Sequence, residues 1–106
     1  MYEVRHYVSD GHDYVQEWLD HVRDQRARIA TLRRIDQIRS GNFGDRKALG
    51  DGVWELRVDV GAGYRIYYGI QGHRVVLLLC GGDTRTQEAD IKRAKKHWRD
   101  SQRGYQ

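Results

Sequence analysis

The stretch Val75-Val76-Leu77-Leu78-Leu79-Cys80 leaves this chain few folds to choose from. Six apolar residues stand in a row with no polar alternation, and the run stops at Gly81-Gly82. It reads, from His73 to Cys80, as a strand apolar on both faces. Such a strand belongs in the middle of a sheet. Two upstream segments supply its neighbours. In Val53–Val60, Trp54, Leu56, Val58 and Val60 point one way, and Val53, Glu55, Arg57 and Asp59 the other. In Tyr64–Ile70, Tyr64, Ile66, Tyr68 and Ile70 take the core face, with Arg65 and Tyr67 opposite. Gly61-Ala62-Gly63 reads as a three-residue hairpin loop and Gln71-Gly72 as a second turn. The three strands form an antiparallel meander.

The rest of the chain supplies its cover. Tyr2–Val8 reads as a first strand, ended by the turn Ser9-Asp10-Gly11. From Asp13, the residues Tyr14, Val15, Trp18, Leu19 and Val22 mark one face of a helix. Asp24 caps a second helix, Gln25–Arg39, with Ile29, Leu32, Ile35 and Ile38 inward and Arg26, Arg28, Arg33, Arg34 and Arg39 outward. Gly41–Gly52, with four glycines and no periodicity, reads as a loop. A last helix spans about Thr86 to Arg99, with Ile91, Ala94 and Trp98 as its apolar stripe. The expected fold is α+β, a small twisted antiparallel sheet in the order β-α-α-β-β-β-α, with an N-terminal helical hairpin on one face.

At 106 residues the chain suits a single domain over 1–106. No apolar run approaches the roughly 20 residues of a membrane span, and the N-terminus lacks a signal-peptide core, so a cytoplasmic protein with no membrane partner is expected. One cysteine cannot make an internal disulfide, and Cys80 reads as a small buried hydrophobe. The five histidines share no spacing, no zinc pattern is present, and neither metal nor cofactor is expected. The formal net charge of +4 suits an acidic partner, nucleic acid or protein.

A three-residue hairpin loop would set Arg57 opposite Tyr67 and Asp59 opposite Arg65. Arginines beside a tyrosine can hold phosphate and stack on bases. The same residues can instead be structural, Arg65 pairing with Asp59 and Arg57 lying over Tyr67. Thr84-Arg85-Thr86-Gln87 fits a capping box with Thr84 at the N-cap. The free N–H groups of that helix start, beside Arg85, would suit an anion. Gly81 and Gly82 would let a phosphate or another chain come close. The spacing is not that of a P-loop. Lys92, Arg93, Lys95, Lys96 and Arg99 crowd the final helix, as a solvated face or a basic surface.

Six pieces, in order, resemble the RelE/ParE superfamily of bacterial toxins. They are Gly41-Asn42-Phe43-Gly44-Asp45, Glu55-Leu56-Arg57, Gly63-Tyr64-Arg65-Ile66-Tyr67-Tyr68, Leu78-Leu79-Cys80-Gly81-Gly82-Asp83, Gln87 and Asp90-Ile91. The likeness is strongest to the HigB-like addiction module killer proteins and runs from the first strand to Trp98. It implies a metal-independent endoribonuclease that cleaves mRNA in the A site of the 70S ribosome. It also implies a cognate helix-turn-helix antitoxin, with operator DNA reached only through that antitoxin. Mapped onto this chain, Arg65, then Arg57, then Arg85 would stabilise the phosphate. Asp90 would accept a proton, or else serve as a cap or a partner for Arg93. Lys47, Tyr67, Lys92 and Lys95 would contact RNA. A lysine common after Gly-Gly-Asp in that branch is here Thr84, with Arg85 following. The same fold also serves ParE-like inhibitors of DNA gyrase and, as a further alternative, non-toxic members that bind only antitoxin and DNA.

Overall fold

The computed structural model describes residues 1–103, so residues 104–106 of the expected domain lie outside the described residues. In chain order the elements are β1 (Glu3–His6), β2 (Val8–Ser9), β3 (His12–Asp13), α1 (Tyr14–His21) and α2 (Gln25–Arg39). There follow β4 (Arg46–Gly50), β5 (Val53–Val58), β6 (Tyr64–Gln71), β7 (Val75–Gly82), a 3-10 turn over Thr84–Thr86 and α3 (Gln87–Arg103). Five strands form one sheet in the order β1-β7-β6-β5-β4, and β2 with β3 makes a small separate hairpin. The class is α+β and the β5-β6-β7 meander is present.

The sheet is mixed rather than antiparallel. β1 runs parallel to β7, with Glu3 beside Val75 and His6 beside Leu78. Parallel neighbours need a long crossover, and here two helices and five strands intervene. No local pattern encodes that pairing. The expected loop over 41–52 also contains β4, which pairs antiparallel with β5. Apolar alternation does not hold this strand. Instead the Arg46 guanidinium lies 4.4 Å from the ring centre of Phe43 and 4.3 Å from that of Trp54.

β7 is buried from Val76 to Gly82, as a central strand should be. On one face, Leu56, Ile66, Tyr68, Val76 and Leu78 pack with Val15 and Leu19 of α1 and Ile35 and Ile38 of α2. On the other, Val53, Tyr67, Leu77, Leu79 and Cys80 pack with Ala94, Ile91 and Trp98 of α3. The buried stripe of α2 is Ala27, Thr31, Ile35 and Ile38, while Ile29 and Leu32 are 48% and 45% exposed. The expected stripe stepped by three residues throughout. Each such step falls about 60° short of a full turn, so the far end of that row leaves the core face. Arg34 is also not an outward residue. It donates to the carbonyls of Arg57 and Phe43, the latter at 2.8 Å, and ties α2 to the start of β4 and the end of β5.

The glycine pair has a packing explanation. Successive strand residues face opposite sides. A Cβ on Gly81 would lie 2.3 Å from the Trp18 ring of α1, and one on Gly82 would lie 1.8 Å from Asp90 Oδ2 of α3. The backbone is bare on both faces because a side chain from each helix layer rests on it.

Candidate functional site

The β5–β6 hairpin decides which side chains meet. Val58 pairs with Tyr64, so the connection is a five-residue loop, Asp59 to Gly63, rather than three. Gly61 and Gly63 adopt φ of 63° and 76°, which glycine takes without strain. The register moves accordingly. Arg57 stands opposite Arg65, Glu55 opposite Tyr67, and Asp59 falls in the loop. Gly82 of β7 continues the row beyond Arg65. The two arginines share the α3 side of the sheet, at the end that α3 leaves open. With Asp45, Asp59 and Tyr64 they line a cavity of about 290 Å³.

Two like charges across a strand pair repel unless something sits between them. That something is Glu55, whose side chain is fully buried. Its Oε1 lies 3.1 Å from Arg57 Nε and its Oε2 lies 3.5 Å from Arg65 Nε, while Gln87 Nε2 donates to Oε2 at 2.8 Å. The Arg65 contact is an ion pair without hydrogen-bond alignment. Arg65 Nη1 donates instead to Gly63 O at 2.7 Å and Thr84 Oγ1 at 2.8 Å. Burial alone would raise the Glu55 pKa. The hydrogen bonds from Gln87 and Arg57 and the charges of Arg65 and Arg57 outweigh burial and hold it below its ordinary value. A buried carboxylate thus fixes two guanidinium groups, and Arg57 keeps a 41% exposed side chain turned to solvent.

The other sequence-derived candidates fall elsewhere. Tyr67 is fully buried and its hydroxyl has no hydrogen-bond partner, so it has no open face on which a base could stack. Burial pushes its phenol above the ordinary range. Asp90 is buried against Gly82, with Oδ2 taking the Thr86 hydroxyl at 2.5 Å and Oδ1 the Arg93 guanidinium at 3.2 Å. It is a packing and pairing residue with no lone oxygen to offer the cavity. Arg85 is 84% exposed, paired with Asp83 at 3.0 Å, and lines a different cavity from Arg57 and Arg65. The helix start is capped by Asp83 with Thr86, not by Thr84 with Gln87. That shift of one residue frees Thr84 to hold Arg65 and Gln87 to hold Glu55. Lys47 is exposed on β4 directly across from Glu55. Lys92 is exposed, and Lys95 pairs with Asp51 at 3.4 Å. Cys80 is buried, and burial pushes its thiol up to about 11.

Glu55 and Gln87 were missed as site residues because each had a plainer reading, a strand's polar face and a capping residue. The alternation that placed Glu55 beside Arg57 was the available signal. Chemically the arrangement can grip an anion. The fork of each guanidinium matches phosphate oxygens, and a fixed pair needs little reorganisation as charge develops. Asp45 and Asp59, both exposed, are the carboxylates at hand to accept a proton. Among the described residues, no three His, Cys, Asp or Glu side chains come together to hold a metal ion, and no helix is long and apolar enough to cross a membrane.

Two comparisons bear on this site. The family described as "Phage derived protein Gp49-like (DUF891)" matches residues 17–99, a span that includes Glu55, Arg57, Arg65 and Gln87. An uncharacterized protein of Haemophilus influenzae is 49% identical over 78 residues, covering 74% of this chain and 79% of its own length.

Proposed function

Because this chain belongs to the Gp49-like (DUF891) family, which is related to the RelE and HigB toxins, we propose that it is the toxin of a type II toxin–antitoxin pair and an endoribonuclease that cleaves mRNA in the ribosomal A site. The observation that carries this reading is the Arg57–Arg65 pair, held face to face by the buried Glu55 at the mouth of a cavity. RNA cleavage of this kind needs no cofactor. The 2′-oxygen attacks the adjacent phosphorus in line, the bond from phosphorus to the 5′-oxygen breaks, and a 2′,3′-cyclic phosphate and a 5′-hydroxyl result. Arg65 and Arg57 would hold the charge gathering on the phosphoryl oxygens. Asp45 or Asp59 would take the proton from the 2′-hydroxyl, and a protonated group or water would supply one to the 5′-oxygen. Glu55 touches no substrate and acts through the arginines as a positioning residue. Lys47 would steer the RNA backbone toward them. The reading places the protein in the cytoplasm with a helix-turn-helix antitoxin as its partner.

The test is induction in a bacterial host, with primer extension on an abundant transcript and a supercoiling assay on a plasmid. New 5′ ends that depend on ongoing translation are the expected result. Relaxed plasmid with intact transcripts would replace the nuclease by a gyrase inhibitor. Arg57→Ala, at a half-exposed position, should abolish both growth arrest and cleavage while leaving the far-UV circular dichroism of the wild type. Arg65→Ala should do the same with some loss of stability.

A further inference from the structure

A second cavity, of about 330 Å³, adjoins the first, and Tyr64 lines both. Its wall is aromatic. The rings of Trp18 and Tyr64 lie 6.2 Å apart at 55°. Trp18 rests on the bare backbone of Gly81, which fixes the indole from the sheet side. Its rim is cationic. Arg23 is exposed and makes no hydrogen bond or ion pair among the described residues. Arg85 spends only the Nε and Nη2 edge of its guanidinium on Asp83, at 3.4 and 3.0 Å, which leaves Nη1 open. Asp83 is the single carboxylate of the lining, and Arg85 already offsets it. His21 Nδ1 lies 2.7 Å from the Glu17 carbonyl, which can only accept, so Nδ1 carries a hydrogen and Nε2 is the open ring position.

We infer that this cleft seats the nucleotide next to the one being cleaved, its base against Trp18 and Tyr64 and its phosphate on Arg23 and Arg85. The inference rests on the nuclease reading above and extends it. A strand whose reacting phosphate lies between Arg57 and Arg65 must leave that cavity, and the cleft on the α1 side of the sheet is a concavity it reaches by rounding the hairpin end at Tyr64, the lining residue common to both. Every base has a flat π-face, so an aromatic wall accepts any of the four without reading its edge. An unpaired arginine on the rim offers the forked donors that a phosphate takes and that a solvated surface face does not require. The cleft therefore supplies grip on the strand, not sequence choice. It also gives Arg85 a role outside the reacting phosphate.

The experiment uses ribosomes programmed with a short mRNA that carries an abasic nucleotide on one side or the other of the cut. For the wild-type protein, one of the two abasic positions should lower the subsaturating cleavage rate on the order of tenfold. In Tyr64→Leu that same position should cost nothing further, because the wall it loses is already gone. A parallel readout replaces the phosphate of that nucleotide by a neutral methylphosphonate and the protein by Arg23→Ser, an exposed change that leaves the core untouched. Again the two losses should not add. Full additivity in both pairs, or a wild type indifferent to both abasic positions, would overturn the cleft while leaving the nuclease standing. Absence of cleavage with every unmodified mRNA would bring down the nuclease reading itself, and this inference with it.

Discussion

Replacing Glu55 by alanine would leave Arg57 and Arg65 across from one another with no carboxylate between them. The folded state should lose about 1.5–3 kcal/mol, the range for hydrogen bonds to a charged group. Urea unfolding measures this, and an unchanged midpoint would mean that the pair needs no counter-charge. The pH dependence follows from the same contacts. Glu55 holds its charge more tightly folded than unfolded, so its stabilisation is complete above the ordinary value of 4.5 and fades as pH falls through the lower, folded value. Glu55→Gln should flatten that acid limb. Under the proposed nuclease function, RNA cleavage should suffer more than stability, because the amide can still accept from Gln87 but no longer balances two guanidinium charges. The arginines were legible in the sequence as a pair on one strand face. Their carboxylate was not, because a hairpin loop of five residues rather than three slid every partner by two and made Asp59 look like the natural mate of Arg65.

At the level of elements, β7 is the most constrained piece. Gly82→Ala would drive a methyl group into Asp90, whose oxygens are already held by Thr86 and Arg93, and Gly81→Ala would do the same to Trp18. Each should cost about 1–3 kcal/mol by overpacking, read as a lower melting temperature. Gly82→Ala that melts with the wild type would show that Asp90 can swing away freely. Strands with clean alternation, β5 and β6, were readable from their residues, and so was the N-cap Asp24. β4 was not, since two aromatic rings around Arg46 do the work that apolar alternation does elsewhere. The phase of α2 was misread because Ala27 and Thr31, small and partly polar, fill the core positions that isoleucine and leucine seemed to claim.

For the molecule as a whole, the class and the meander followed from three adjacent segments that pair through short turns. The closing of the sheet did not. β1 reaches β7 only because α1 and α2 carry the chain across one face and α3 covers the other, and that is a property of the assembled layers. The Arg57–Arg65 cavity depends on the same layering. α3 covers much of its side of the sheet and leaves open the hairpin end, where Arg57 and Arg65 of two neighbouring strands line the cavity.

The position of β7 also sets a timetable. β7, an interior strand, is the last of the sheet to be synthesised, and β1, the first, waits for it with no other strand to pair with. Until Gly82 clears the exit tunnel, α1 has no floor, Trp18 has no bare backbone to rest on, and the row that begins at Arg57 and Arg65 lacks its third member. Nascent chains arrested before that point should be digested by protease throughout, and chains arrested well beyond it should resist from β1 onward. A nascent chain therefore carries no complete row of Arg57, Arg65 and Gly82 before β7 has emerged.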